Sequence, residues 1–159
     1  MNILLTGGAG YIGSHVAISL LDSGHSVHII DDLSTGNKSL IPKGANFTHC
    51  NINNEEIVSD VVKNNSFDLL MHFAGFIQVE ESVNKPEKYF NNNTSNAIKL
   101  FNICKKNNLN KIIFSSTAAA YGCTKNNLVE ETDNIKPENP YAESKINTEK
   151  FLTSNHEDF

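Results

Sequence analysis

No stretch of the 159 residues is apolar for long enough to cross a bilayer as a helix. Basic residues do not cluster, and 13 basic against 18 acidic side chains leave a formal net charge of −5. A nucleic-acid-binding surface needs a basic patch, so none is expected. Cys50, Cys104 and Cys123 are odd in number and lack metal or redox spacing. They read as reduced, structural thiols of a cytoplasmic protein, and no metal site is expected. The first residues read as a strand and a loop, not as a signal peptide. The acceptor triplets Asn37-Lys38-Ser39 and Asn46-Phe47-Thr48 are therefore read as chance matches to glycosylation sites. Internal repeats, a low-complexity tail and a linker to a second domain are also missing. What remains is an ordinary composition, 39% hydrophobic and 19% charged, sufficient for one domain with a real core.

The stretch that organises the rest is MNILLTGGAGYIG, Met1 to Gly13. The apolar run Ile3-Leu4-Leu5 reads as a buried strand. Gly7, Gly10 and Gly13 follow it with the spacing G-x-x-G-x-x-G, and a helix begins at once. A strand, such a loop and a helix form the βα turn of a dinucleotide-binding fold. A side chain at those glycines would clash in the turn, with the pyrophosphate or with the strand behind the helix. The helix N-terminus offers free N–H groups and a positive dipole end to the phosphates.

Downstream, Ile12, Val16 and Leu20, with Ala17 and Leu21, recur at helical spacing, and Gly24 supplies a stop. Ser26 to Ile30 reads as a second strand ending at Asp31-Asp32. Asp31 lies 18 residues beyond Gly13, near the offset of a ribose-binding acid. A carboxylate there accepts ribose hydroxyls and repels the extra phosphate of NADP, which points to NAD. Leu33-Ser34-Thr35-Gly36-Asn37 is a turn-rich loop. Residues 46–50 read as a third strand, and 53–64 as a polar helix capped by Asn53 or Asn54, with Ile57, Val58, Val61 and Val62 facing in. Residues 67–73 read as a fourth strand; His72 in it is taken as structural. Pro86 opens a long helix to about Asn108, with Phe90, Thr94, Ala97, Phe101 and Cys104 on one face. Residues 111–116 read as a fifth, doubly covered strand, 123–140 as a surface loop, and Tyr141 as the start of a last helix. The expected architecture is α/β, a Rossmann-type doubly wound parallel sheet with right-handed crossovers.

Two features stand at the carboxyl ends of late strands, where such sheets bind ligands. One is Ser115-Ser116-Thr117. The other is Tyr141-Ala142-Glu143-Ser144-Lys145, whose Tyr141 and Lys145 share a helix face. An ammonium near a phenol favours the phenolate, as does a positive nicotinamide ring, and makes tyrosine a usable base. Thr117 can hold the reacting oxygen and relay its proton.

With these motifs in view, the chain resembles the N-terminal half of an extended short-chain dehydrogenase/reductase. Within that family it resembles most closely the enzymes that epimerise UDP-hexoses at C4. The matching stretches are TGGAGYIGSH from Thr6, DDLSTGN from Asp31, HFAG from His72, ESVNKPEKYFNNN from Glu81, FSSTAAAYG from Phe114 and PYAESK from Pro140. The resemblance implies NAD contacts at Tyr11, Ile12, Asp31, Asp32, Leu33, Ser34, Thr35, Gly36, Asn51, Ile52, Phe73, Ala74, Gly75, Phe76, Ile77 and Asn92. It implies Thr117 as substrate ligand, Tyr141 as base and Lys145 as holder of the nicotinamide ribose. It also implies a UDP-sugar substrate, a 4-keto intermediate, and pairing of two copies through helices 86–108 and 141–156.

The chain departs from the family pattern in three places. Asn51 stands where an acid usually contacts the adenine. Asp32 stands where Asn is common. The family also continues for about as many residues again, with a sixth strand and a smaller sugar-gripping domain. The expectation is thus an incomplete NAD-binding domain over 1–159, inactive alone, with β-strand 111–116 as an exposed edge. A 4,6-dehydratase needs an acid pair after the hydroxyl residue, where this chain has Ala118 and Ala119. A related decarboxylase and a non-catalytic NAD-binding remnant of a split gene stay open.

Overall fold

The computed structural model describes residues 1–124 and 128–158. The part of the expected 123–140 loop at 125–127, and Phe159, lie outside the described residues. Five strands, β1 (Asn2–Thr6), β2 (Ser26–Asp31), β3 (Asn46–His49), β4 (Leu69–His72) and β5 (Ile112–Phe114), form one sheet in the order β3-β2-β1-β4-β5. All pairs are parallel. The order reverses between β1 and β4, which places the crevice of a Rossmann-type sheet at their carboxyl ends.

Period-two alternation sends neighbouring side chains to opposite cores. Leu4, Ile30 and Leu70 join Val58 and Val62 of α2 (Glu55–Asn64) and Leu100, Phe101 and Cys104 of α5 (Ala97–Lys106). Leu5, Val27 and Ile29 pack instead on Ala17 of α1 (Tyr11–Asp22). Both faces of the central strands are covered, which explains their continuous apolar runs. Among the described residues β5 pairs with β4 alone, and its Ile113 is 48% exposed, so the fifth strand is an edge and not doubly covered as expected.

Several expectations are corrected. Ile12 and Ile57 face outward; Gly13, Ser14 and Ala17 form the buried face of α1, and Val58 and Val62 that of α2. Of the two candidate caps, Asn54 serves, its Oδ1 accepting from the Ile57 N–H at 3.1 Å. The helix expected over 86–108 is not uniform. A short α3 (Val79–Asn84) precedes α4 (Pro86–Tyr89), then a π-helical segment Phe90–Asn96, then α5 ending at Lys106. The last helix, α6 (Pro140–Ser154), starts one residue before Tyr141, with Pro140 in its first turn and the Asn139 side chain accepting from the Ala142 N–H at 2.8 Å. Cys50 and Cys104 are buried and Cys123 exposed, and all three are free thiols.

Candidate active site

The crevice begins at Gly7, whose φ is +76°. A Cβ there would lie 2.5 Å from the Ala74 backbone N, so the ends of β1 and β4 approach as closely as backbones can. At Gly13 a Cβ would collide with the Gly7 carbonyl, so the first turn of α1 presses directly on the loop. No side chain caps the α1 N-terminus at Gly10, and the exposed Tyr11 and Ile12 flank it. Its N–H groups are thus presented to an anion.

Asp31 is nearly buried at the end of β2. One oxygen accepts from the Ala9 N–H at 2.9 Å, the other from the Leu33 N–H at 2.8 Å. Leu33 holds φ +58°, a left-handed conformation that this bond helps to secure. A carboxylate has about four acceptor positions, so two remain for ribose hydroxyls. Asp32 accepts from the Ser34 N–H at 2.9 Å and from the Asn51 amide. Burial opposes ionisation of Asp32, but the Ser34 and Asn51 hydrogen bonds and nearby His49 outweigh it and hold the carboxyl below its usual range. The Asn51 Oδ1 accepts from the Asn53 N–H at 3.0 Å and retains a lone pair for an exocyclic amine. Ile52 beside it is buried, while Ser34 and Thr35 are exposed, and Gly36 sits against Ala9 and Asp31.

The segment Phe73-Ala74-Gly75-Phe76-Ile77 follows β4. Its backbone is held by Asn93, a fully buried residue of the π segment. Asn93 Oδ1 accepts from the Phe76 N–H at 2.9 Å, and Nδ2 donates to the Phe76 carbonyl at 2.9 Å and to Ser144 Oγ at 3.2 Å. Thr148 Oγ1 donates to the Asn93 carbonyl at 2.7 Å, and Thr94 Oγ1 to the Ser144 carbonyl at 2.7 Å. Widening to a π turn frees backbone carbonyls, and α6 hydroxyls take one of them up. Asn92, the expected cofactor contact, donates to Asn93 Oδ1 at 3.1 Å.

This polar seam sets the position of α6. Lys145 is buried, with Nζ 4.4 Å from the Phe114 ring centroid and 3.8 Å from where a Gly75 Cβ would sit. Burial pushes the Lys145 ammonium down to about 8, partly countered by Glu149. The Tyr141 N–H donates to Ser82 Oγ of α3 at 3.1 Å, and its ring stands edge-on to Tyr89 at 6.4 Å. Thr117 Oγ1 accepts from the Ala119 N–H at 3.1 Å, capping the turn Ala118–Tyr121 against which α6 packs. His72 is buried between the Phe101 and Phe114 rings, with Nδ1 2.6 Å from Thr6 Oγ1. Burial, helped by Lys145, pushes it down to about 3, the neutral structural histidine expected. Ser116 Oγ and His72 Nε2 are buried without a hydrogen-bond partner among the described residues.

The expected site residues therefore gather at one end of the sheet. Sequence reasoning missed Asn93, Ser82, Tyr89, Ser144 and Thr148. The available signal was polar residues four apart at 144 and 148, with an Asn run at 91–93.

The model of the NAD dependent epimerase/dehydratase family matches residues 3–159. The UDP-glucose 4-epimerase of Azospirillum brasilense is 43% identical over 150 residues, 94% of this chain and 43% of that protein. The solved UDP-Glc/GlcNAc 4-epimerase of Campylobacter jejuni superposes with a TM-score of 0.91 at 39% identity, over 96% of this chain and 48% of that one. The Thermus thermophilus UDP-glucose 4-epimerase, solved with NAD, gives 0.94 at 33% identity, over 100% of this chain and 52% of that one. The chain thus spans about half the length of these relatives. Matched by that family's model over nearly its whole length, this chain belongs to the NAD dependent epimerase/dehydratase family.

Proposed function

We propose that residues 1–159 bind NAD and supply the acid–base half of an epimerisation at C4 of a UDP-hexose. The observation that carries the reading is Lys145. Its ammonium lies buried against Gly75 and Phe114, four residues from Tyr141, at the same sheet end as the glycine loop. The cradle fits a dinucleotide. The uncapped α1 N-terminus and Gly7 to Gly13 would hold the pyrophosphate, Asp31 the adenosine ribose, Asp32 to Gly36 with Asn51 and Ile52 the adenine side, and Phe73 to Ile77 with Asn92 the nicotinamide side. The chemistry a bound NAD would supply is reversible acceptance of the hydride of the sugar carbon.

Tyr141 accepts the 4-hydroxyl proton as the ketone forms and gives it back when the opposite face of the ketone is presented. Lys145 presents its ammonium to the ribose hydroxyls. Thr117 presents its hydroxyl to the reacting oxygen; its oxygen caps the Ala118–Tyr121 turn, leaving its proton free to donate. In this reading the sugar nucleotide is gripped by chain beyond the dinucleotide domain, so 1–159 alone turns over slowly or not at all. Ala118 and Ala119 favour the epimerase over a dehydratase, which needs acids there.

The test is Tyr141→Phe in a reconstituted complete active site, with UDP-galactose conversion and NAD titration run together. Turnover should fall at least about 100-fold, the scale of a lost general base, with NAD affinity kept. Retained turnover would remove Tyr141 from its role.

A further inference from the structure

Glu81 of α3 draws three donors onto one carboxylate. Lys88 Nζ reaches both oxygens at 2.9 Å, Lys85 Nζ one at 3.4 Å, and the Tyr89 hydroxyl the other at 3.1 Å. The lysines alone would make an ordinary surface cluster, of little consequence. Tyr89 is different. Its residue is 0% exposed, and its ring lies 5.8 Å from that of Phe76 and 6.4 Å from that of Tyr141. Lys88, while bonded to Glu81, also places its ammonium 4.2 Å from the Phe76 ring centroid. The next residue, Ser82, takes the Tyr141 N–H. Of these two consecutive residues, Ser82 meets the Tyr141 backbone directly, and Glu81 reaches the Tyr141 ring through Tyr89.

We propose that Glu81 is a positioning residue: it gathers Tyr89 and Lys88, and through them sets Tyr141 and the Phe76 loop against one buried ring. This rests on the reading of Tyr141 as the base. Phe76 belongs to the loop assigned to the nicotinamide, so the same carboxylate aligns the proton acceptor with the cofactor side of the site. A mis-set phenol costs rate without touching any group in contact with substrate.

The test uses the chain labelled with 13C in its tyrosine rings, of which there are four. The Tyr141 signal is assigned by its loss in Tyr141→Phe. Glu81→Ala and Tyr89→Phe should shift or broaden the Tyr141 ring signal. Glu81→Gln should restore it, because the amide oxygen still accepts from Tyr89 and Lys88. Thermal unfolding is recorded on each variant; should Glu81→Ala fail to fold, Tyr89→Phe, which removes one oxygen, carries the test. An unchanged Tyr141 signal in Glu81→Ala or Tyr89→Phe overturns the proposal, as does a Gln variant no better than Ala. None of these spectra needs NAD or turnover. Failure here is thus separate from failure of Tyr141 as base, which the conversion assay reads.

Discussion

Lys145 Nζ lies 4.4 Å from the centroid of the Phe114 ring, and that ring stacks on His72 at 5.8 Å. One aromatic side chain at the end of β5 thus stands between two basic residues. Only one of them carries charge at neutral pH. His72 has Thr6 as its sole hydrogen-bond partner among the described residues and stays neutral, while Lys145 retains its proton near the crevice. Burial of His72 therefore leaves Lys145 as the charged member of the pair.

Lys145 should cost stability at neutral pH. Its folded value of about 8 lies below the ordinary 10.5, so the unfolded chain binds the extra proton between them. Stability therefore rises as pH climbs from 8 to 10.5, and the full penalty applies below 8. The difference corresponds to about 3 kcal/mol. Lys145→Met should stabilise the chain by up to that amount at pH 7 and lose its advantage near pH 10.5. Urea unfolding at both pH values checks this; an equal difference at both would show that Lys145 is not penalised as described.

His72 acts at the other end of the scale. The unfolded chain protonates it near 6.5, the folded chain only near 3. Stability is complete above 6.5 and is lost as pH falls toward 3, by at most about 5 kcal/mol. His72→Phe should be less stable at pH 7, because Thr6 loses its partner, yet show a shallower decline in acid. Parallel acid-unfolding curves for the two proteins would refute the assignment.

The sheet was legible because its central strands are buried on both faces and read as apolar runs, as at Ile3-Leu4-Leu5. The glycine loop was legible because only glycine tolerates the Gly7 and Gly13 contacts. The π segment was not, since Phe90 to Asn96 changes pitch through α6 contacts far along the chain, such as Thr148 on the Asn93 carbonyl. Helix α3 escaped because Val79 to Asn84 shows only one buried residue, Ser82, and that residue is polar. Ile12 illustrates a further gap. Helical period fixes which residues share a face, not which face the neighbouring loop leaves open.

Asn93 should be intolerant of change. Asn93→Ala strips partners from the Phe76 N–H and carbonyl and from Ser144, all at the junction of the cofactor loop and α6. A loss of roughly 2–4 kcal/mol is expected from unsatisfied buried groups. Asn93→Asp keeps the acceptor but turns a donor toward the Phe76 carbonyl into a second negative oxygen, so it should not rescue. Thermal unfolding with NAD titration measures both effects; an Asp variant as stable as the native chain would rule out the donor role of Nδ2.

Asp31 should set the cofactor preference and also hold the loop that uses it. All 13 basic residues are lysines, and Lys38 is the first along the loop after Asp31, so no guanidinium offers itself to a 2′-phosphate there. A buried carboxylate facing that position repels it, and NAD should bind more tightly than NADP. Asp31→Ala removes a charged acceptor from the ribose, worth roughly 1.5–3 kcal/mol of NAD affinity. It also frees the Ala9 and Leu33 N–H groups, so the apo chain should lose stability at the same time. Asp31→Asn separates the two effects. It keeps an acceptor for one loop amide and removes the charge, so discrimination against NADP should shrink more than stability does. Titration of both cofactors against the three proteins, with unfolding curves alongside, decides it. NADP binding equal to or tighter than NAD in the native chain would end the assignment of Asp31 to the ribose.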